Sequence, residues 1–451
     1  MKKILIVGTG FNGFCNALEL SKKHKVTMID KSPFFGGIMY SRKIYDFYVD
    51  NGVHVFDGIP SKLAKLVKRI LKNKVEDVEF ISQSAFNEKV TKGFSLPDLS
   101  SITTQNKKKI TKDLLLLEKK YKNNSVIIKY SSLHDFFLKR YGVSASKIFS
   151  SIFKKIYNID PKAIEPQAIS QTSLARLKFL DDKKMINLKK YKFLDTVLAA
   201  RRKTLGKIDD LESIYPVEGK GMRAWCDNAK QFLQKKKVQI FLNQEINTIK
   251  QLSKKIHIKT KDTDGKFDKI LWCNDNISAI NNLIKNNKVQ DFQHSVPVVF
   301  YVLVTKKSNI KNFTYLQNFD LKSLSYRIAA GGLYGKQKDK KNNTFITVEC
   351  PTKINSKIWK NPKKSINKIW NECKKLKLIK KNSRIVKSDF KCIPVTLKMP
   401  LKGYSEYRKK ILEAASKKYK NLVFDQSNSF FRREIYLNSL NVEKRLNLKN
   451  E

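Results

Sequence analysis

The sequence predicts an α/β fold, in which a Rossmann-like domain is interrupted by an α+β domain made of a helical cap and an antiparallel sheet. Two observations predict this order. The chain of 451 residues opens with an apolar strand, a glycine-rich turn and an amphipathic helix, the pattern of a parallel α/β unit. A long region of helical periodicity follows, and after it come strands rich in Val, Phe and Tyr.

The first strand, Lys3–Val7, leads directly into a G-x-G-x-x-G turn and a helix. In this context the first glycine allows a tight turn, the second lets the backbone approach a pyrophosphate, and the third lets the helix lie close to the strand. The first helical turn would offer N–H groups and a positive dipole end to phosphates. The expected phosphate-binding residues are Gly8, Gly10, Phe11, Asn12 and Gly13.

The second strand, Val26–Ile29, ends in Asp30, and Lys31 follows. An acid at this position accepts a hydrogen bond from a ribose 2′-OH and opposes a 2′-phosphate. We therefore expect FAD or NAD rather than NADP, with Asp30 and Lys31 in the site. The alternative is a tight strand–helix turn that binds no ligand.

Two later segments resemble the flavin-binding start of the amine oxidase superfamily, which includes proteins similar to protoporphyrinogen oxidase, phytoene desaturase and UDP-galactopyranose mutase. They are residues 30–37, which contain Gly36 and Gly37, and residues 50–56. The resemblance implies non-covalent FAD, with the paired glycines near its phosphates. It also implies that Gly52, His54 and Val55 lie near the isoalloxazine ring. In the family the acid is usually Glu, whereas here Asp30 is one methylene shorter.

Further along, residues 214–222 resemble the Y-P-x-G-G-M loop of the same superfamily, with Lys220 inserted between the two glycines. The resemblance implies that Gly219, Gly221 and Met222 lie at the flavin. It also implies that the main chain of Ile246 contacts adenine, in a strand pair formed by residues 238–243 and 246–249.

The predicted domain organisation has five parts. Residues 1–72, 211–290 and 396–451 form the FAD-binding domain, residues 73–210 a mostly helical substrate or cap region, and residues 291–395 an antiparallel-sheet substrate domain. Within the cap, helical periodicity predicts the helices Asp113–Tyr121, Leu133–Tyr141, Ala145–Tyr157 and Gln171–Leu180.

The C-terminal segment departs from the superfamily. After the strand at residues 421–424, the residues Asp425 to Ser429 replace the expected glycine motif, and residues 430–446 are predicted to form a helix. A side chain at the glycine position would crowd the phosphates, and Asp425 would repel them unless it is neutralised.

Composition restricts the partners and the compartment. The chain has 92 Lys and Arg against 40 Asp and Glu, a net charge of +52 at pH 7. The lysines are spread along the chain without interleaved aromatics, which favours a solvated surface over nucleic-acid binding and leaves weak contact with anionic membranes open. Six scattered cysteines without a C-x-x-C pair indicate reduced thiols, no metal site and a cytoplasmic protein. No stretch has the length of a membrane-spanning helix.

For the chemistry we expect an FAD-dependent oxidoreductase of the amine oxidase or protoporphyrinogen oxidase type. It would transfer a hydride between flavin and a small organic substrate, which is anionic or nucleotide-linked. His54 beside the flavin and Arg327 on a substrate-domain strand are the candidate catalytic residues. The first alternative is an enzyme similar to UDP-galactopyranose mutase, acting on a nucleotide sugar without net redox. The second is a non-catalytic flavin-fold protein that binds an anionic partner.

Overall fold

The structure is a computed structural model that describes residues 1–122, 128–201, 211–274, 277–284, 292–425 and 431–448. The chain forms two compact units, each made of separate segments. Unit 1 consists of Met1–Glu79, Lys207–Gln290 and Glu406–Glu451. Unit 2 consists of Phe80–Gly206 and Asp291–Ser405.

The elements are numbered along the chain. The strands are β1 (Lys3–Val7), β2 (Lys25–Ile29), β3 (Arg42–Ile44), β4 (Phe47–Val49), β5 (Phe56–Pro60), β6 (Val75–Asp77), β7 (Ser82–Phe86), β8 (Lys89–Lys92), β9 (Leu211–Pro216), β10 (Gln239–Phe241), β11 (Thr248–Gln251), β12 (Ile256–Lys259), β13 (Asp264–Phe267), β14 (Lys269–Trp272), β15 (Gln293–Lys306), β16 (Tyr315–Asn318), β17 (Arg327–Ala329), β18 (Asn343–Pro351), β19 (Lys387–Pro400) and β20 (Leu422–Phe424). The helices are α1 (Phe11–Leu20), α2 (Ser61–Ile70), α3 (Thr104–Tyr121), α4 (Leu133–Tyr157), α5 (Asp182–Leu188), α6 (Lys192–Val197), α7 (Met222–Lys235), α8 (Ile277–Leu283), α9 (Gly331–Tyr334), α10 (Lys357–Lys360), α11 (Ile366–Lys375), α12 (Tyr404–Lys418), α13 (Arg432–Ser439) and α14 (Val442–Arg445).

Unit 1 is built on a parallel sheet with the strand order β10-β2-β1-β14-β20. Its centre is the fully buried apolar run of β1, Ile4 to Ile6. Because β2 lies on one side of β1 and β14 on the other, the strand order reverses at the carboxyl end of β1, where such sheets bind ligands. The predicted Rossmann-like domain is confirmed.

One predicted strand pair in this unit is wrong. Residues 238–243 and 246–249 were expected to pair with each other, but β10 pairs in parallel with β2, and β11 pairs antiparallel with β12 in a separate sheet. The backbone turns away from the first sheet at Asn243, which has a positive φ of 56°. The two strands therefore belong to different sheets.

Unit 2 contains a seven-stranded sheet with the order β19-β15-β18-β17-β16-β7-β8. One face carries an apolar core of side chains from β15 and β18 packed with α11, including Tyr301, Val348 and Trp370. The predicted antiparallel sheet is confirmed for β15 to β19, whose described pairings are all antiparallel. The strand β7, which comes from the region predicted to be mostly helical, adds to this sheet and pairs in parallel with β16. The reason is that β7 precedes the helical region in the chain, so no hairpin joins it to β16.

The helical region of unit 2 packs α3 against α4 around buried aromatic and aliphatic side chains. The two helices predicted at residues 133–141 and 145–157 are confirmed as the two halves of α4, which are separated by non-helical Gly142 with φ 80° and ψ 174°. The Asp113 carboxylate of α3 accepts a hydrogen bond of 2.8 Å from Ser144 N and so caps the second half.

The helix predicted at residues 171–180 is wrong. A short 3-10 helix, Pro166–Gln171, ends where it should begin. Beyond it, Leu177 N donates to Val197 O and Leu99 N donates to Lys178 O, so these backbone groups pair with remote segments instead of with each other. In the part of the chain that the structure describes, no helix has the length and apolar character needed to cross a membrane.

We predict that Gly142→Ala lowers the free energy of unfolding by about 2 kcal/mol or more, because it combines a disfavoured positive φ with a steric clash. A Cβ at Gly142 would lie 2.4 Å from Asp113 Cβ. Urea unfolding measures the change. Gly93→Ala is the control for the positive φ alone, because Gly93 has φ 66° and a Cβ there meets no atom within 4 Å. An unchanged stability of Gly142→Ala would contradict the packing described here.

Candidate functional site

The glycine turn of unit 1 joins β1 to α1 with very close packing. Gly8 has φ 112°, and its N–H donates to Ile29 O at 2.8 Å. A Cβ on Gly13 would lie 2.0 Å from Gly8 O, so only glycine fits there. No side chain caps α1, and the N–H groups of Phe11, Asn12 and Gly13 have no acceptor among the described residues. These groups are oriented to receive an anion.

The second glycine leaves open space. A Cβ built on Gly10 meets no atom within 4 Å, and its φ of −66° suits any residue. The loop of Gly36 and Gly37 packs beside it, because Gly36 N donates to Thr9 O at 3.0 Å and a Cβ on Gly37 would lie 3.3 Å from Gly10 Cα. The structure thus brings the two predicted glycine segments together.

The Asp30 carboxylate is already used by the protein. Its Oδ2 accepts from Thr9 N at 2.7 Å and from Thr9 Oγ1 at 2.9 Å, and its Oδ1 accepts from Ser32 N at 2.9 Å. Since each oxygen accepts about two hydrogen bonds, only Oδ1 has capacity left. Asp30 therefore closes the glycine turn, and its predicted bond to a ribose would be limited to one hydroxyl.

A cavity of about 880 Å³ opens at the carboxyl ends of β1, β2 and β14. Four of the predicted residues line it: Gly8, Asp30, Lys31 and Ile246. Trp272 also lines the cavity, and its indole N–H is buried without a hydrogen-bond partner in the described part of the chain. A cavity of this size with a free donor suits a small ligand with polar groups.

A buried carboxylate, Asp50, connects three segments of unit 1. Asp50 Oδ1 accepts from Ser41 Oγ at 2.5 Å and from Met222 N at 3.2 Å, and its Oδ2 accepts from Tyr215 OH at 2.7 Å. A Cβ on Gly221 would lie 2.9 Å from Asp50 Oδ1. Burial raises the pKa of the Asp50 carboxyl, and the three hydrogen bonds offset only part of that effect.

His54 and Val55 are held by the C-terminal helix α13. The first residue of this helix, Arg432, donates from Nη1 to Val55 O at 2.9 Å and lies 3.4 Å from His54 Nδ1 through Nη2. Its guanidinium also covers the ring of Phe56, with Cζ 5.3 Å from the centroid. Burial lowers the pKa of Arg432 to about 10, against the attraction of Asp50. The conformation of the predicted ring-side segment thus depends on this arginine.

The remaining predicted residues of unit 1 take different positions. Gly52 is buried with φ 128°, next to the Asp50 cluster. Met222 is fully buried and begins α7, whereas Gly219 is exposed with φ 71° and open space around it. Of the Y-P-x-G-G-M-like loop, Gly221 and Met222 thus join the site cluster and Gly219 does not.

The condition under which Asp425 would not repel phosphates is met, because Arg445 forms an ion pair with this carboxylate. Its side chain is 1% exposed, its Oδ1 lies 2.8 Å from Arg445 Nη1, and its Oδ2 accepts from Asn16 Nδ2 at 2.9 Å. Asn16 Oδ1 in turn accepts from Arg445 at 2.7 Å. Residues 426–430 lie outside the described residues, and the helix predicted there is two helices, α13 and α14.

Arg327 lies in unit 2, on β17. Its Nε and Nη2 both donate to Glu349 Oε1, at 2.8 and 2.6 Å. Burial lowers the pKa of Arg327, but the Glu349 carboxylate raises it by more, so the pKa of Arg327 is raised overall. The same row of the sheet continues to Gln317 and Ser84, whose Oε1 and Oγ are buried and have no hydrogen-bond partner in the described ranges.

Sequence reasoning missed several residues of this site. Asp50 lies in the segment of residues 50–56 but was not assigned a role, and its position directly before Asn51 and Gly52 was the available signal. Arg432 and Arg445 carried no signal, because nothing local distinguishes them among 92 basic residues. Trp272 ends β14, and only the fold shows that it borders the cavity.

Comparison with known proteins agrees with this architecture. Residues 6–70 match a family model described as an NAD(P)-binding Rossmann-like domain. No match was found among curated proteins. Among solved structures, the chain is similar to reduced UDP-galactopyranose mutase, at 15% identity and a TM-score of 0.71, with coverage of 100% of this chain and 97% of that one.

Two further solved structures are similar over the whole chain. A putative protoporphyrinogen oxidase from Exiguobacterium sp. 255-15 has 12% identity and a TM-score of 0.65, covering 100% of this chain and 99% of that one. Putrescine oxidase bound to putrescine has 10% identity and a TM-score of 0.60, with the same coverage. At these identities the likeness establishes the fold, and the predicted fold resemblance is confirmed.

We predict that the stability of the wild-type protein relative to Asp50→Asn falls as pH rises above about 4, the ordinary pKa of Asp. A raised folded-state pKa means that the folded protein binds more protons than the unfolded chain between the two pKa values, so stability is lost as pH increases through that window. Urea unfolding of both proteins between pH 4 and pH 8 (about the range in which small domains are most stable) measures it. If the free energy of unfolding of the wild type increased with pH relative to that of Asp50→Asn, the result would contradict the burial of Asp50.

We also predict that Arg445→Met lowers the free energy of unfolding by about 3 kcal/mol, because it leaves a buried carboxylate without its cation. Asp425→Asn in the same chain should restore part of the loss, since it removes the uncompensated charge. Arg433→Met, at an exposed arginine of α13, is the matched control. Equal stability of Arg445→Met and Arg433→Met would refute the pairing.

Proposed function

We propose that the protein is an FAD-dependent oxidoreductase of the amine oxidase or protoporphyrinogen oxidase type. It binds FAD non-covalently and exchanges a hydride with a small organic substrate. The observation that carries the proposal is the uncapped N-terminus of α1, set beside the open face of Gly10 and the loop of Gly36 and Gly37. The whole-chain fold likeness to protoporphyrinogen oxidase and putrescine oxidase supports it.

The residues present fit the cofactor. The free N–H groups of Phe11 to Gly13 suit a pyrophosphate, and the cavity lined by Asp30, Lys31 and Ile246 suits an adenosine. The charge of the Asp425 carboxylate is no obstacle, because Arg445 pairs with it and Asn16 donates a hydrogen bond to it. When bound, FAD would supply the redox chemistry, and the protein would supply binding and orientation.

The chain's own residues take the following roles in the proposal. Gly52, His54 and Val55 contact the flavin ring, and Arg432 fixes their conformation through Val55 O. Because Arg432 Nη2 donates to His54 Nδ1, the neutral imidazole carries its proton on Nε2 and can donate it. Gly221 and Met222, which pack against Asp50, complete this side of the site, whereas the exposed Gly219 takes no role in it.

For Arg327 we propose substrate binding rather than proton transfer, because its raised pKa keeps the guanidinium charged. The unpartnered Ser84 Oγ and Gln317 Oε1 beside it favour a substrate with hydrogen-bonding groups. Residues 1–72, 211–290 and 396–451 are proposed to hold the cofactor, and residues 73–210 and 291–395 the substrate. Six free cysteines favour the cytoplasm.

A second candidate is a flavoenzyme similar to UDP-galactopyranose mutase, acting on a nucleotide sugar without net redox. The TM-score of 0.71 to that mutase supports this second candidate. Turnover of a nucleotide sugar only after reduction with dithionite would distinguish it from an oxidoreductase. A non-catalytic protein that binds an anionic partner is less favoured, because the charge of Asp425 is compensated.

We predict that the purified protein takes up FAD, and that Gly10→Ala weakens this binding at least tenfold, about 1.4 kcal/mol. The added methyl group enters space that holds no protein atom, where we place the pyrophosphate, so the fold should be unaffected. FAD titration followed by the visible absorption spectrum measures binding, and thermal unfolding without FAD checks the fold.

Gly13→Ala is the comparison variant, because its Cβ would collide with Gly8 O and should damage the fold itself. A wild-type protein that is colourless after incubation with FAD and removal of the unbound FAD would overturn the proposal. So would a Gly10→Ala protein with wild-type affinity, since the phosphates would then lie elsewhere.

A further inference from the structure

The outer side of helix α3 in unit 2 presents three lysines and two leucines to solvent. They are Lys108, Lys112, Leu115, Leu116 and Lys119, here called the lysine–leucine face. The spacing of four, seven, eight and eleven residues from the first lysine places them on one side of a helix. Leu115 is 44% exposed and Leu116 is 59% exposed.

The acidic side chains of α3 point the other way. Asp113 accepts from Ser144 N, and buried Glu118 accepts from Leu194 N at 3.0 Å. Ile110 and Leu114 are fully buried on this inner side. The helix therefore separates its charges, and in the described part of the chain the three lysines of the lysine–leucine face form no ion pair.

A groove of about 800 Å³ runs along this face. Lys107, Leu180 and Lys184 contribute to its lining, together with Asp181. The one carboxylate is compensated, because Asp181 Oδ2 lies 3.3 Å from Lys184 Nζ. The groove adds cationic and apolar surface to the lysine–leucine face without adding net negative charge.

We propose that the lysine–leucine face docks on the surface of a membrane that contains anionic lipid. The lysines would contact headgroup phosphates, each contributing about fivefold to binding, and Leu115 and Leu116 would enter the boundary with the acyl chains. A membrane surface fits this face because lysines bind anionic headgroups and exposed leucines bind hydrocarbon. No helix of the described residues can span a bilayer, so the contact is with the surface.

A polyanion such as nucleic acid is the competing partner for a basic surface, but the chemistry here fits it less well. Single-stranded nucleic acids need aromatic side chains on which bases stack, and the lysine–leucine face has none. Exposed leucines add nothing to phosphate binding. They do add affinity when they leave water for hydrocarbon.

The test is sedimentation of the full-length protein with phosphatidylcholine vesicles, with and without phosphatidylglycerol, at low and high salt. We expect binding only to the anionic vesicles. Lys108→Gln/Lys112→Gln/Lys119→Gln should lower the partition coefficient more than tenfold, and Leu115→Gln/Leu116→Gln should lower it at least fivefold. Thermal unfolding should be unchanged in both, because all five side chains are exposed.

Two matched controls make the same number of Lys→Gln and Leu→Gln substitutions at positions outside the lysine–leucine face. Lys338→Gln/Lys340→Gln/Lys341→Gln removes three exposed lysines, and Leu321→Gln/Leu440→Gln removes two half-exposed leucines. Both should bind within twofold of wild type. Absence of binding to anionic vesicles overturns the proposal, and so does an equal loss in the controls. Binding to single-stranded polynucleotide that depends on the three lysines, together with a Leu115→Gln/Leu116→Gln protein that still binds vesicles, would assign the face to nucleic acid.

Discussion

The candidate site in unit 1 depends on one buried carboxylate, Asp50. A carboxylate without water must receive hydrogen bonds, and its donors are Ser41, Tyr215 and Met222. Two of them come from a segment more than 160 residues further along the chain. Burying Asp50 therefore requires the segment around Ser41 and the start of α7 to lie against each other. This contact also explains why Gly221 has no room for a side chain.

Two arginines of the C-terminal segment stabilise unit 1. Arg445 and Asn16 compensate Asp425 beneath α1, and Arg432 holds the backbone of Val55. Arg432 lies in α13 and binds Val55 in the N-terminal part of the chain, and Arg445 lies in α14 and binds Asp425, which follows β20. A chain that returns to its first domain after a long insertion can thus stabilise the site with its final residues.

Internal use of acidic groups shapes the surface of this protein. With 40 acidic residues against 92 basic ones, each carboxylate that is turned inward leaves the outside more positive. Asp113 and Glu118 show the effect on a single helix, where both point into unit 2 and the lysines of the same helix point out. The lysine–leucine face follows from this separation, since no acid remains among its cations.

The sequence by itself determined the elements whose signals are local. The strand, glycine turn and helix from Lys3 to Leu20 could be predicted, because apolar periodicity and the need for glycine are properties of neighbouring residues. The split of α4 at Gly142 could be predicted for the same reason. Tertiary structure decided the rest. The segment at residues 171–180 is not helical because its backbone groups pair with remote segments of the chain. The partners of Asp50 and Asp425 were hidden because long-range charge and hydrogen-bond pairing leaves no periodic pattern in a sequence.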